Sequence, residues 1–147
     1  MMSINAIFDV AGSAMSAQSV RLNTVASNLA NAQSASSSIG QTYRARHPVF
    51  AAIQESAMNG VAGVGPEGEA SVGVQVLGIV ESDAPLQPRY EPNHPLADEQ
   101  GYVYYPNVNV VEEMADMISA SRSFQINVQI AEAAKTLSQR VLALGQS

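Results

Sequence analysis

The sequence predicts an α+β chain, in which long N- and C-terminal helices pair as a coiled-coil-like axial domain around a central extended, β-rich region. Three observations carry this prediction: an unbroken apolar repeat at the front, a capped helical pattern at the back, and valine alternation among glycines and prolines between them. They divide the 147 residues into terminal helices over 1–33 and 107–147 and a central region over 34–106.

At the front, Ile4, Phe8, Ala11, Met15, Gln18, Leu22, Val25, Leu29 and Ala32 follow alternating steps of four and three. That heptad seam needs a partner helix, and only Gln18 interrupts its apolar character. The seam ends in "VASNLANAQS", where Asn28 and Asn31 flank Leu29 among small residues. Asparagine competes with the backbone for hydrogen bonds and is a mediocre helix former. Asn31 therefore either caps the helix end or, like Asn28, meets a neighbouring subunit, with Leu29 closing the seam within the chain.

At the back, Asn109 and Glu112 fit the N-cap and N3 positions of a capping box. Glu113 and Asp116 suit the positive start of the helix dipole, Lys135 and Arg140 suit its end, and Gly145 is placed as a terminal cap. Apolar positions recur at Met114, Met117, Ile118, Phe124, Val128, Ala131, Ala134, Leu137, Val141 and Leu144, with Ile126 and Ile130 forming a second stripe. One partner helix needs one seam, so the surplus either marks an interface or is covered by a third element from the middle region. The candidate assembly residues are accordingly Phe8, Met15, Leu22, Val25, Asn28, Leu29 and Asn31 in front and Met114, Met117, Ile118, Arg122, Phe124 and Val128 behind. Arg122 has three readings: a pair with Asp9, a pair with an acidic group of a neighbour, or free solvation.

In the middle, residues 43–53 and 72–80 read as strands, the second alternating at Val72, Val74 and Val76. Residues 55–71, "ESAMNGVAGVGPEGEAS", read as a flexible loop between them. Four prolines make "DAPLQPRYEPNHPLADEQG" an extended connector barred from a central strand, and "GYVYYP" a last short strand.

Charge and composition exclude several functions. Charged residues make up 14% of the chain, against about 25% in an average soluble domain. Both ends are nearly neutral, while residues 41–105 carry a net charge of −5. No basic stripe is present to bind nucleic acid. Arg21 is the only cation of residues 3–32, too little for a membrane-surface helix, and no apolar run reaches the ~20 residues of a membrane span. Without cysteine there is neither a disulfide nor a thiolate ligand. Residues 1–18 lack a basic start and are interrupted by Asp9, so no cleaved signal peptide is expected.

Catalytic patterns are sparse. Glu91, His94, Asp98 and Glu99 are the one conceivable hydrolytic or metal cluster, but a proline-rich segment fixes no common geometry for them. No serine elbow or phosphate-cradling glycine loop is present. No enzyme, cofactor or metal is expected. Binding and assembly is the stronger class, and it includes both a polymerising subunit and a soluble helical adaptor or chaperone-like oligomer that does not polymerise.

"FDVAGSAMSAQS" and "ASNLANA" in the first helix, "YEPNHPLADEQGYV" before the second and "PNVNVVEEMADMISASRSFQ" at its start together resemble the bacterial flagellar rod and hook axial proteins. The resemblance runs from Ile4 to Gln146 and is strongest to a member of the proximal rod. It implies a structural, self-assembling motility protein of the flagellar basal body, part of a hollow drive shaft that crosses the periplasm, transmits torque and passes exported subunits. It further implies type III export without a cleaved signal peptide. The implied partners are further copies, other rod proteins, and the basal-body ring with its adaptor.

Overall fold

In the computed structural model, which describes residues 4–54 and 72–145, the first element is helix α1, Ile4–Asn31. Strands β1 (Arg46–Gln54) and β2 (Val72–Glu81) pair in one two-stranded sheet; β3 (Gln87–Tyr90) and β4 (Tyr102–Tyr105) pair in another. Helix α2, Val110–Leu144, closes the chain. The α+β class and the two terminal helices are as the sequence predicts. The flexible loop expected at residues 55–71 lies outside the described residues.

The connector rich in proline is not extended throughout. Its residues 87–90 form β3, antiparallel to β4 with Gln87 opposite Tyr105 and Tyr90 opposite Tyr102. Pro88 is tolerated because a two-stranded sheet has only edge strands. Beyond β3 the chain turns back at Gly101, whose φ of +84° is open to glycine at little cost; a Cβ there would lie 2.9 Å from Tyr90 Cε2.

Two compact units make up the fold, and they cut across the helical and central regions expected from sequence. One unit joins Arg21–Val49 with Gly78–Ser119. Its buried residues include Val25, Ala45, Val103 and Val108, together with the polar Thr24, Asn28, Thr42 and Glu113. Here α1 and α2 run antiparallel, since Arg21 meets Asp116 and Asn28 meets Glu113. Ser36 bridges Tyr104 through two backbone bonds of 3.0 Å, attaching the chain after α1 to β4.

The other unit joins residues 1–20, Phe50–Leu77 and Ala120–Ser147. Its buried apolar residues, among those described, are all alanines: Ala11, Ala17, Ala120 and Ala134. Side chains this short let neighbouring backbones approach closely. The same closeness recurs where α1 meets β2: Ser13 Oγ accepts from Val74 N at 3.1 Å, and a Cβ on Gly73 would lie 3.2 Å from that oxygen.

The helix ends differ from the sequence expectation. Asn31 keeps a helical backbone rather than the left-handed cap conformation, because no described residue other than glycine has positive φ. Its side chain instead satisfies the carbonyl of Ser27 at 2.9 Å. Gly145 is likewise not left-handed and makes an ordinary bond to Val141 O at 3.1 Å.

Candidate assembly surface

Which residues α2 hides follows from its repeat. Glu113, Met117, Ala120, Phe124, Asn127, Ala131, Ala134 and Ser138 continue the 4,3 alternation, and none of them is exposed. This inner row is small or polar at most positions. Met117 and Phe124 are its large apolar members; outside it, Met114 is 54% exposed, Ile118 63% and Ile126 55%, and Ile130, Leu137, Val141 and Leu144 are also exposed. Of these, Ile130 borders a crevice with Ile7, Val10 and Ala11 of α1.

The sequence candidates separate accordingly. In α1, Val25 is buried, Met15, Leu22, Leu29 and Asn31 are half-buried, and Phe8 is exposed at 37%. The buried residues of the helix are Ala11 and Val25 of the predicted seam and Ala17, Thr24 and Asn28, each one position before it. In α2, Met117, Phe124 and Val128 are half-buried, whereas Met114, Ile118 and Arg122 face outward. Arg122 has no ion-pair partner among the described residues; Asp116 is taken by Arg21 at 2.6 Å.

At Asn28 the structure corrects the expected role. The residue is fully buried, and its amide makes four bonds within the chain. Nδ2 donates to Arg46 O at 2.8 Å and to Glu113 Oε1 at 2.9 Å. Oδ1 accepts from Arg46 N at 2.9 Å and from the Tyr43 hydroxyl at 2.8 Å. An amide has two donors and two acceptor sites, and all four are occupied, so nothing remains for a neighbouring subunit. Because Tyr43 spends its proton on Asn28, Ser27 Oγ is the donor in its 3.3 Å contact with the tyrosine oxygen. The small neighbours of Asn28 admit this network, which ties the end of α1 to the start of β1 and the start of α2.

A second asparagine, Asn107, does comparable work and was missed as a site residue. Its Oδ1 accepts from Ala45 N at 2.8 Å, and its Nδ2 donates to Ala84 O at 2.8 Å and Ser82 O at 3.3 Å. Tyr43, Arg46 and Glu113 were also missed as members of the network. The repeated asparagines of "NVN" are the one sequence signal for Asn107. Asn109 Oδ1 accepts from Val111 N at 3.2 Å and Glu112 N at 3.5 Å, an N-cap arrangement. The exposed Glu112 makes no return bond to Asn109 among the described residues, so the reciprocal half of the capping box is not formed.

The acidic segment considered for chemistry is consumed by its own loop. Asp98 Oδ1 accepts from Gln100 N at 2.9 Å and Tyr102 N at 2.8 Å, and Oδ2 accepts from the Tyr104 hydroxyl at 3.3 Å. The bond from Tyr102 leads in holding the Asp98 carboxyl below its ordinary value, while desolvation, with Asp98 beside it, raises the Tyr104 phenol. Glu91 accepts from the Tyr105 hydroxyl, and His94 Nδ1 accepts from Leu96 N. No group of three potential metal ligands occurs among the described residues, and no described helix is long and apolar enough to cross a membrane.

Comparison with known proteins finds similarity to flagellar basal-body rod proteins. Residues 8–33 match the family model described as flagella basal body rod protein, and residues 99–144 match flagellar basal body rod FlgEFG protein C-terminal. The flagellar basal-body rod protein FlgC of Salmonella typhimurium is 49% identical over 140 residues, covering 95% of this chain and 96% of its own. That of Yersinia enterocolitica is 46% identical over 145 residues, covering 99% and 100%. That of Borreliella burgdorferi is 34% identical over 148 residues, covering 94% and 95%.

Proposed function

The chain belongs to the FlgC family of flagellar basal-body rod proteins, as a structural subunit and not an enzyme, and from that premise we propose that the outward apolar row of α2 is the surface through which it joins the rod. The single observation that carries this reading is the inversion of α2, whose alanine-rich row faces inward while Met114, Ile118 and Ile126 face outward. Exposed apolar surface of that extent is an interaction site in a soluble protein. Helix α1 offers a counterface of small side chains: Gly12, Ser16, Ser19, Asn23, Ala26 and Ala30 are all exposed and alternate by four and three. A row of large side chains from one copy seated on a row of small ones from the next is a head-to-tail contact, which propagates rather than closing on itself when its rotation does not return to the start.

In this reading the partners are further copies and the other rod proteins, with the ring and its adaptor at the base. The assembled proximal rod crosses the periplasm, transmits torque and leaves a channel for exported subunits. The non-polymerising adaptor reading is not favoured by the family relationship.

The test is the double variant Ile118→Ser and Ile126→Ser. Both side chains are exposed, so the monomer should keep its helical circular dichroism and melting temperature while sedimentable polymer and motility are lost. Polymer formation equal to that of the wild type would overturn the proposal.

A further inference from the structure

Glu113 is the one buried acid among the described residues, 4% exposed in the first turn of α2. Its Oε1 accepts from Asn28, but its Oε2 is buried with no partner. Asn28 has no further donor to offer, since both its N–H groups are taken. The cations nearby are engaged elsewhere. On α1, Arg21 is bonded to Asp116. On β1, the Arg46 guanidinium is bonded to Glu81 at 3.0 Å and lies 5.5 Å from the centre of the Tyr43 ring. His47 attracts the carboxylate without a hydrogen bond among the described residues, and Glu112 and Asp116 on its own helix repel it.

We propose that the Glu113 carboxyl is a proton-binding latch, whose protonation state sets how firmly the first turns of α2 are held to the end of α1. The geometry gives the reason. An ionised carboxylate with one oxygen sealed from water and unpartnered carries a desolvation cost that the neutral acid escapes. Burial is the leading influence and pushes the Glu113 carboxyl above its ordinary value, against the opposing pull of the Asn28 bond and His47.

The direction of the linkage follows. Below the ordinary glutamate range the side chain is protonated in folded and unfolded states alike, and no cost appears. As pH rises through the raised folded-state value, the unfolded chain has already released its proton and the folded chain must follow, so stability falls. Above that value the folded state bears the whole cost. Because Met114 and Ile118 stand on the same turns, the latch also governs how steadily the first part of the outward apolar row is presented.

The experiment is denaturant unfolding of the full chain at concentrations where it is monomeric, for wild type and Glu113→Gln, from pH 4 to pH 8. Glutamine keeps the acceptor for Asn28 and cannot ionise. The wild-type folding equilibrium should weaken relative to the variant as pH rises, by up to about tenfold per pH unit within the window. Parallel curves would overturn the proposal. Should the variant fail to fold, carboxyl carbon-13 titration of Glu113 in the wild type decides alone: a midpoint above the ordinary glutamate value supports the latch, and one at or below it refutes it.

Discussion

Replacing Asn28 by alanine tests the network at the end of α1 most directly. From sequence alone the substitution looks favourable to the monomer, because alanine is the better helix former by about 0.6 kcal/mol. The structure reverses that expectation. Four bonds disappear at once, leaving Arg46 N–H, Arg46 C=O, the Tyr43 hydroxyl and Glu113 Oε1 without their partner. At a net value of about 1 kcal/mol each, the loss is about 4 kcal/mol. The small void left behind adds up to ~1 kcal/mol and the helix propensity returns ~0.6, so the net remains near ~4 kcal/mol. In urea unfolding of the monomer, with a slope of about 2 kcal/mol per molar, the midpoint should fall by roughly 2 M. Asn28→Asp, which keeps the shape but sets a carboxylate against Glu113 and the Arg46 carbonyl, should be no better tolerated. A loss under ~1 kcal/mol for the alanine variant would mean that water replaces the amide freely, and the network would then hold nothing.

Three further substitutions probe separate features. Gly101→Ala forces a side chain into the left-handed region and against Tyr90, so thermal unfolding should show a loss of more than about 1–2 kcal/mol, the backbone term alone. Asn109→Ala removes the N-cap of α2 and should cost on the order of 1 kcal/mol in the same assay, with Asn109→Ser nearly neutral. Asp98→Asn should flatten the acid limb of the stability profile. The lowered Asp98 value contributes stability above the ordinary aspartate range and loses it as pH falls through the folded-state value, so a variant profile parallel to the wild type would exclude that contribution.

Much of the architecture was legible because helices write their period into sequence. The repeat through Ala11, Leu22 and Val25 and the cap at Asn109 located both helices within a few residues of their observed limits. The inward face of α2 was not legible. Large apolar residues fall on more than one of its faces, and reading the larger side chains as core places Met114 and Ile118 inside, whereas alanine is buried in this protein where isoleucine is exposed. The Asn28 network was hidden for a different reason. Its partners lie 15, 18 and 85 residues away in sequence, and no local pattern predicts that an asparagine inside a helix will meet a strand backbone and a distant glutamate. Glu113 was read as an ordinary helix-start acid because its burial arises from that long-range meeting.

The alanine interior of the unit containing Ala11, Ala17, Ala120 and Ala134 has a mechanical consequence. A leucine or methionine core yields to shear by hopping between rotamers, which absorbs small displacements as a soft layer would. Alanine has no rotamer to change and no side-chain entropy to recover, so a sliding backbone meets the next backbone almost at once. For a structural subunit, such a layer resists sliding more stiffly than one of longer side chains would.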